Sequence, residues 1–175
     1  HANTYNGVTT VSAGELNVTG SIGTGSAVTV SSGATISGDG TINGHLTIDD
    51  GGTVSAGNTG SGTLTVGAGM TLNSASEIFM GSVGTTNDLI AVTGNLTLDG
   101  TLNIAAGTGF GVGTYRIMTY TGTLTNNTIT VGTAPAGYSY NVVAKSGYVD
   151  LTIVHIGDFT KANNTTAPNL AGSWE

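Results

Sequence analysis

Cysteine is absent from this 175-residue sequence, and charged and aromatic side chains are scarce. Without cysteine the chain can form neither a disulfide framework nor a thiolate zinc site. Charged residues make up 7% of the chain and aromatic residues 6%, whereas glycine occurs 30 times. No apolar run approaches the ~20 residues that a membrane-spanning helix needs. The sequence therefore predicts no membrane-spanning segment.

Basic residues are the scarcest charged class. Ten acidic residues stand against three basic ones, Arg116, Lys145 and Lys161, and the formal net charge is −7. Nucleic acids and anionic lipid surfaces both require clustered Lys and Arg, so neither is an expected partner. An acidic, cysteine-free chain rich in Thr, Asn and Gly is compatible with bacterial export, and we expect it to be secreted or at the cell surface.

The residues that are abundant favour β-structure. Thr, Val, Ile and Leu are typical of strands, and Gly, Ser and Asn are typical of turns. Hydrophobic residues make up 38% of the chain, which is too many for a disordered segment. No stretch shows the i, i+3, i+4, i+7 apolar spacing of an amphipathic helix. We predict an all-β protein whose length fits one domain.

An internal repeat indicates a solenoid. Val11, Val30, Ile48 and Val66 follow one another at intervals of 19, 18 and 18 residues, and each is followed three positions later by glycine. Self-similarity at a period near 20 is typical of stacked repeats. Stacking would place Val30, Ile48 and Val66 in one column, and Thr29, Thr47 and Thr65 in a second. Gly33, Gly51 and Gly69 would occupy equivalent corners with positive φ.

Each period contains three short strands. Residues 28–30, 34–36 and 41–42 alternate apolar and polar side chains, which turns Val28, Val30, Ile36 and Ile42 inward. We therefore predict a parallel β-helix with three strands in each rung of about 18 residues. The general crossover rule makes it right-handed.

The regular period loosens after about residue 76. Residues 138–145 and 148–154 flank Ser146-Gly147, which predicts an antiparallel hairpin with a two-residue turn. Such a hairpin would cap the exposed edge of the parallel stack. We assign residues 1–153 to the β-helix with its looser, hairpin-capped C-terminal part. Residues 154–175 form a tail, either a linker or a docking segment.

Four segments resemble a known family. Residues 3–18 and 28–42 resemble the β-strand repeat of bacterial autotransporter passenger domains. Residues 51–58, GGTVSAGN, are similar to the family phrase GGTLSPGN, with Ala56 in place of proline, and residues 88–94, DLIAVTG, resemble its D-L-x-V-x-G phrase with one additional residue before Val92. The resemblance covers about residues 3–153. It implies a right-handed β-helix outside the cell, part of a passenger or a secreted protein, and specifies no activity.

One acidic cluster invites a metal or catalytic interpretation. His45 lies near Asp49 and Asp50, but the rung register puts His45 and Asp49 at opposite corners, so we predict no metal site and no cofactor. Asp39 and Asp49 could lie on adjacent rungs as an acid–base pair, as in a polysaccharide-degrading enzyme. Because no cationic clamp accompanies them, we predict no catalytic residues and no enzyme.

Two functions remain. The first is a non-catalytic structural β-helix. The second is an adhesin module in which Tyr138, Tyr140 and Tyr148 contact a glycan or a partner protein, although hairpin tyrosines also pack across strands.

The chain ends suggest self-association. Asn3, Thr4 and Tyr5 begin the first rung without an evident cap, and Trp174 is the single tryptophan. If the tail of one subunit lay against the first rungs of the next, the contact would be heterologous and would propagate as a filament. The alternative is a tail that folds back on its own domain. We accordingly expect a homo-oligomer or a filament.

Overall fold

The computed structural model describes residues 2–58 and 60–157 and is almost entirely β-structure. Within these residues no helix is long and apolar enough to cross a membrane. In chain order the strands are β1 (Thr9–Val11), β2 (Gly14–Val18), β3 (Ser21–Ile22), β4 (Val28–Val30), β5 (Ala34–Gly38), β6 (Thr41–Ile42), β7 (Leu46–Ile48), β8 (Thr53–Ala56), β9 (Thr63–Val66), β10 (Met70–Leu72), β11 (Glu77–Val83), β12 (Leu89–Val92), β13 (Leu96–Leu98), β14 (Thr101–Ala106), β15 (Gly113–Tyr120), β16 (Leu124–Asn126), β17 (Thr130–Val131), β18 (Tyr138–Lys145) and β19 (Tyr148–His155).

Successive strands belong to three different sheets. Sheet 1 has the order β1-β4-β7-β10-β13-β16, sheet 2 the order β2-β5-β8-β11-β14-β17, and sheet 3 the order β3-β6-β9-β12-β15-β19-β18. Every strand pair between rungs is parallel, and only the strand pairs β15–β19 and β18–β19 are antiparallel among the strands described. Three strands thus make one rung, and about five turns stack into a solenoid. The predicted parallel β-helix is confirmed.

Alternation along each strand produces the core. Val30, Ile36 and Ile42, one from each strand of a rung, are fully buried. Their neighbours along the chain point outward, because successive side chains of a strand lie on opposite faces. Six of these outward positions form a threonine column along sheet 1, consisting of Thr10, Thr29, Thr47, Thr71, Thr97 and Thr125. The core is therefore one continuous column of aliphatic side chains enclosed by three solvated faces.

The predicted register is correct for the first rungs and wrong for the third. Val30 pairs with Ile48 as predicted. Ile48, however, pairs with Leu72, and Val66 lies in sheet 3, between Ile42 and Val92. Thr65 likewise pairs with Thr41 instead of Thr47. The cause is a corner insertion at residues 57–62, which lengthens this rung to 24 residues. As a result, residues 63–66, whose sequence resembles a strand of sheet 1, lie in sheet 3.

The corner glycines show the same change in stacking register. Gly33, Gly51 and Gly69 all have positive φ, as predicted. The amide of Gly33 donates to the Gly51 carbonyl at 2.8 Å, so these two corners are stacked. The Gly51 amide donates to Ala75, which shows that Gly69 lies at a different corner.

The predicted hairpin is present and extends sheet 3, with β18 as its terminal strand. β18 and β19 pair with each other, and β19 pairs antiparallel with β15. Val149, Leu151 and Ile153 of β19 are fully buried against the core. An ion pair joins the hairpin to β15: Nε of Arg116 lies 3.0 Å from Oδ1 of Asp150, directly across the β15–β19 ladder. Burial of this apolar row makes the hairpin part of the solenoid.

The close spacing of stacked corners gives a testable prediction. A Cβ added at Gly44 would lie 2.0 Å from the Ser26 carbonyl oxygen of the preceding rung, whereas a Cβ at Gly7 would meet nothing within 4 Å. Gly44→Ala should lower the free energy of unfolding by about 1–3 kcal/mol, the usual cost of overpacking. Gly7→Ala, the matched control, should change it by less than about 0.5 kcal/mol. Equal midpoints for both variants in urea unfolding would contradict the close approach of these corners.

Candidate functional site: a polar groove around Phe79

The outer face of sheet 2 carries two columns of polar side chains. One column contains Glu15, Thr35, Thr53, Glu77 and Thr101, and the other contains Asn17, Ser37, Ser55, Phe79 and Asn103. Each column arises because every second residue of β2, β5, β8, β11 and β14 points away from the core. Phe79 is the exception to their polar character.

Phe79 is an exposed aromatic ring on this polar face. Its side chain is 39% exposed, and it is flanked across the ladder by Ser55 and Asn103. Along β11 its neighbours on the same face are Glu77 and Gly81. The ring leans over Gly81, where a Cβ would lie 3.3 Å from its Cε1. Glycine at this position therefore leaves room for the ring to lie along the strand.

Two adjoining depressions meet at this ring. One has a volume of about 340 Å³ and the other about 370 Å³, and Phe79, Ser55, Gly57 and Asn58 line both. We call them together the Phe79 groove, defined by Glu15, Ser37, Ser55, Asn58, Glu77, Phe79 and Asn103. Ligand pockets commonly span about 300–1,000 Å³, so the groove is large enough for a small polar ligand.

Hydrogen bonds hold the polar groups of the groove in place. The Ser37 hydroxyl donates to Oε1 of Glu15, and Nδ2 of Asn103 donates to Oε2 of Glu77 at 3.3 Å. Asn17 Nδ2 donates to Oδ1 of Asn58 at 3.1 Å. Each glutamate is thus fixed through one oxygen, while the other oxygen makes no side-chain hydrogen bond within the described residues. The groove presents preorganised acceptors.

A buried carboxylate supports one wall of the groove. Asp88 is 1% exposed; its Oδ1 accepts from the Gly62 amide at 3.1 Å and its Oδ2 from the Ser82 amide at 2.9 Å. These bonds tie Gly62, the last residue of the inserted corner, to the end of β11. Burial raises the pKa of Asp88, and the amides of Ser82, Gly62 and Gly81 act in the opposite direction. The carboxylate is fully engaged in holding the corner.

The glutamates of the groove are far apart. Glu15 on β2 and Glu77 on β11 are separated by three strand spacings of sheet 2, which places their backbones about 14 Å apart. Glycoside hydrolysis requires two carboxyl groups about 5–9.5 Å apart. Among residues 2–58 and 60–157 no three His, Cys, Asp or Glu side chains are grouped as metal ligands.

His45, Asp49 and Asp50, which the sequence analysis considered as a metal or catalytic cluster, have structural partners. His45 contacts the Ala68 carbonyl through Nδ1 and the Thr71 hydroxyl through Nε2, both at 3.1 Å. Asp49 accepts from Asn73, and Asp50 accepts from the Ala75 amide at 2.9 Å. Asp39 lies at another corner, where it faces Gly62. The structure therefore does not bring these groups together.

The three hairpin tyrosines are engaged within the protein. Tyr138 makes edge contacts with Phe110 and His155 at ring-centroid distances of 5.2 and 5.3 Å. The Tyr140 hydroxyl donates to the Pro135 carbonyl at 2.6 Å, and the Arg116 guanidinium covers the Tyr148 ring at 3.7 Å. These contacts favour packing roles, and ligand contact through the tyrosines stays a prediction.

The predicted self-association residues lie at the opposite end of sheet 3 from the hairpin. Ala2 pairs with Ser21 of β3, and the Asn3 amide donates to the Ser21 carbonyl at 2.8 Å. Thr4 is exposed, and the exposed Tyr5 hydroxyl contacts the Thr9 hydroxyl. Trp174 lies outside the described residues.

The sequence pattern alone does not single out Phe79. The run Ile78-Phe79-Met80 is apolar throughout, so it gives no alternation from which to choose a face. The available signal is the spacing of two residues to Glu77 and to Gly81, which puts both on the same face of the strand as Phe79. Because neither Glu77 nor Gly81 is a core residue, that face is the outer one. The β11 pattern of exposed and buried residues confirms this assignment.

Comparison with known proteins supports the family resemblance. No protein-family model matches the chain. Adhesin BmaC autotransporter of Brucella suis biovar 1 (strain 1330) is 42% identical over 100 residues, a match that covers 49% of this chain. The chain spans about 3% of the length of that adhesin. Together with the parallel solenoid, the match confirms the resemblance to autotransporter passenger domains.

The raised pKa of Asp88 predicts how this side chain affects stability at different pH values. A carboxyl group with a raised folded-state pKa contributes stability that is complete below its unfolded pKa and is lost as the pH rises through the folded pKa. The advantage of the wild type over Asp88→Asn in unfolding free energy should therefore shrink as the pH rises above the ordinary carboxyl pKa of about 3.9. Urea unfolding at a series of pH values on both sides of this point measures it.

Asn87→Ala provides the control for this series. It removes a neutral neighbour that donates to the Arg116 carbonyl at 2.7 Å. Its difference from the wild type should be the same at each pH, because no titrating group is lost. A wild-type advantage over Asp88→Asn that grows with pH would contradict the assigned direction.

Proposed function

We propose that this chain is a non-catalytic segment of a surface-displayed or secreted adhesive β-helix. The observation that carries the proposal is the 42% identity to an autotransporter adhesin, found in a chain that folds as a parallel solenoid. In this role the solenoid acts as a rigid spacer, and its solvated faces are available for contact. Solenoids suit this role because each rung is stabilised by its neighbours.

The chemistry of the described side chains supports a binding role more than a catalytic one. The buried carboxylate of Asp88 is fully used by backbone amides. Glu15 and Glu77 are spaced too widely to share one glycosidic bond. His45 is engaged on both ring nitrogens. The outer face of sheet 2 is a polar surface on which the Phe79 ring is exposed.

Bead adhesion tests the proposal directly. Fluorescent beads coated with the folded chain should be retained under shear flow on epithelial monolayers or on extracellular-matrix films. Adhesion requires only that the adhesive face is displayed on the bead surface. Soluble chain in excess should release them. Beads coated with an unrelated protein of similar net charge are the control.

Two outcomes would contradict the proposal. Retention no greater than that of the control beads, on every surface tried, would remove the adhesive role. New reducing ends released from acidic or neutral polysaccharides by the chain would remove the non-catalytic one.

Self-association is a second proposed function, supported by unpaired strand edges. In the described part of the chain no strand pairs with the outer edges of β1 and β2. The Thr9 amide donates to Ala27 at 2.9 Å and the Val11 carbonyl accepts from Ser31 at 3.0 Å, so both face β4. The Thr10 amide between them points away from β4 and has no partner among the described residues. Such edges template pairing with another chain.

Proline at position 10 tests end-to-end pairing. Thr10→Pro removes the outward amide without removing a bond to β4, and proline is tolerated on edge strands. Light scattering of the full chain should show association that Thr10→Pro reduces and Thr10→Val, which keeps the amide, does not. Monodisperse monomers for all three chains at high concentration would disprove the filament.

A further inference from the structure

We propose that the Phe79 groove binds a neutral glycan chain, with the Phe79 ring as its stacking platform. The proposal rests on the adhesive function above and names the chemistry of what is bound. Four features support it: the exposed Phe79 ring, the fixed hydrogen-bond acceptors, the negative charge of the groove and the size of the groove.

The ring supplies what the apolar face of a sugar requires. A pyranose ring presents C–H groups on one face and hydroxyl groups around its rim. The C–H groups carry a small positive charge and pack against the negative face of an aromatic ring. Phe79 is 39% exposed and lies over Gly81, so no side chain at that position blocks the space above the strand. The fold does not use the Phe79 ring, exposed among Ser, Asn and Glu side chains, for core packing. The ring is therefore available to stack against a ligand.

The polar groups along the groove match the hydroxyl groups of a glycan chain: Glu77 shares β11 with Phe79, and Glu15 lies three strands away on β2. Glu15 and Glu77 each keep one carboxylate oxygen free of side-chain partners in the described structure, while the other is held by Ser37 or Asn103. Carboxylates accept short, charge-assisted bonds from hydroxyl groups. The Ser55 hydroxyl, next to Phe79 across the ladder, makes no side-chain hydrogen bond within the described residues. Fixing the acceptors before binding lowers the entropic cost of binding.

The charge of the groove selects among glycans. The three titratable side chains that line it, Glu15, Glu77 and the buried Asp88, are all acidic. The basic side chains within the described ranges, Arg116 and Lys145, lie at the hairpin, where Arg116 is paired with Asp150. Uronate, sulfate or sialate groups would meet like charge without compensation. The occupant is therefore neutral.

Size and composition favour a glycan over a folded protein. Stable protein interfaces bury about 800 Å² on each partner around an apolar centre. Phe79 is the one large apolar side chain that is exposed on sheet 2 in the described structure. A single ring in a polar groove suits a ligand that is itself amphipathic and narrow.

Isothermal titration calorimetry with neutral oligosaccharides tests the inference. The panel contains tri- to hexasaccharides of glucans, mannans and galactans, with polygalacturonate and sialylated oligosaccharides as anionic counterparts. Wild type should bind at least one neutral series, and Phe79→Ala should weaken that binding by about tenfold or more, corresponding to the loss of one aromatic contact. Phe79→Tyr should retain it because the ring is kept.

Matched controls separate a local effect from a loss of fold. Tyr5→Ala removes another exposed aromatic side chain, far along the solenoid from β11, and should leave binding unchanged. Circular dichroism and thermal unfolding check each variant. Should Phe79→Ala not fold, ring-labelled wild type decides: the chain has three phenylalanines, and the Phe79 resonances should shift on titration.

The outcomes are distinct. No binding to any neutral series, equal binding by Phe79→Ala, or binding to anionic glycans alone would overturn the inference. If coated beads adhere while no neutral glycan binds, the adhesive function stands and the glycan groove is wrong. If a neutral glycan binds at Phe79 while beads fail to adhere, the groove stands and the adhesive role is wrong.

Discussion

The rung-to-rung backbone ladder is the interaction on which this structure depends. Each strand hydrogen-bonds the strand of the next rung in register, so every side chain lies directly above a counterpart at the strand spacing of about 4.8 Å. Inward positions then bury branched aliphatics against one another, as Val30 does against Ile48. Outward positions form columns of like residues. The core, the threonine column of sheet 1 and the Phe79 groove all follow from this one repeat distance.

The corners decide where the fold tolerates change. At the corner between β6 and β7 the stacked backbones approach so closely that Gly44 has no room for a side chain. The corner between sheets 2 and 3 is different, because it lengthens from Asp39-Gly40 in one rung to residues 57–62 in the next. Asp88 compensates for the longer corner with its hydrogen bonds to the backbone. The groove lies beside this permissive corner, which gives the groove one of its walls.

Local patterns in the sequence predicted the strands, the three-strand rung and the hairpin, since alternation and turn residues act over a few positions. The stacking register beyond the second rung could not be predicted, because it depends on corner length. Residues 63–66, TLTV, resemble a strand of sheet 1 in sequence. Because six inserted residues precede them, they lie in sheet 3. Phe79 could not be predicted for a related reason: its face is set by register, and its apolar neighbours conceal that register in the sequence.

The lengthening of the rungs has a consequence for how the chain can vary. Paired positions are 18 residues apart between Val30 and Ile48 but 28 apart between Leu98 and Asn126. Loop-closure entropy depends only logarithmically on loop length, so this increase costs about 0.4 kcal/mol per rung. Evolution can therefore lengthen a corner at little thermodynamic cost, provided that the aliphatic column resumes in phase. The solenoid can in this way change the length of its surface corners while its axial core stays in phase.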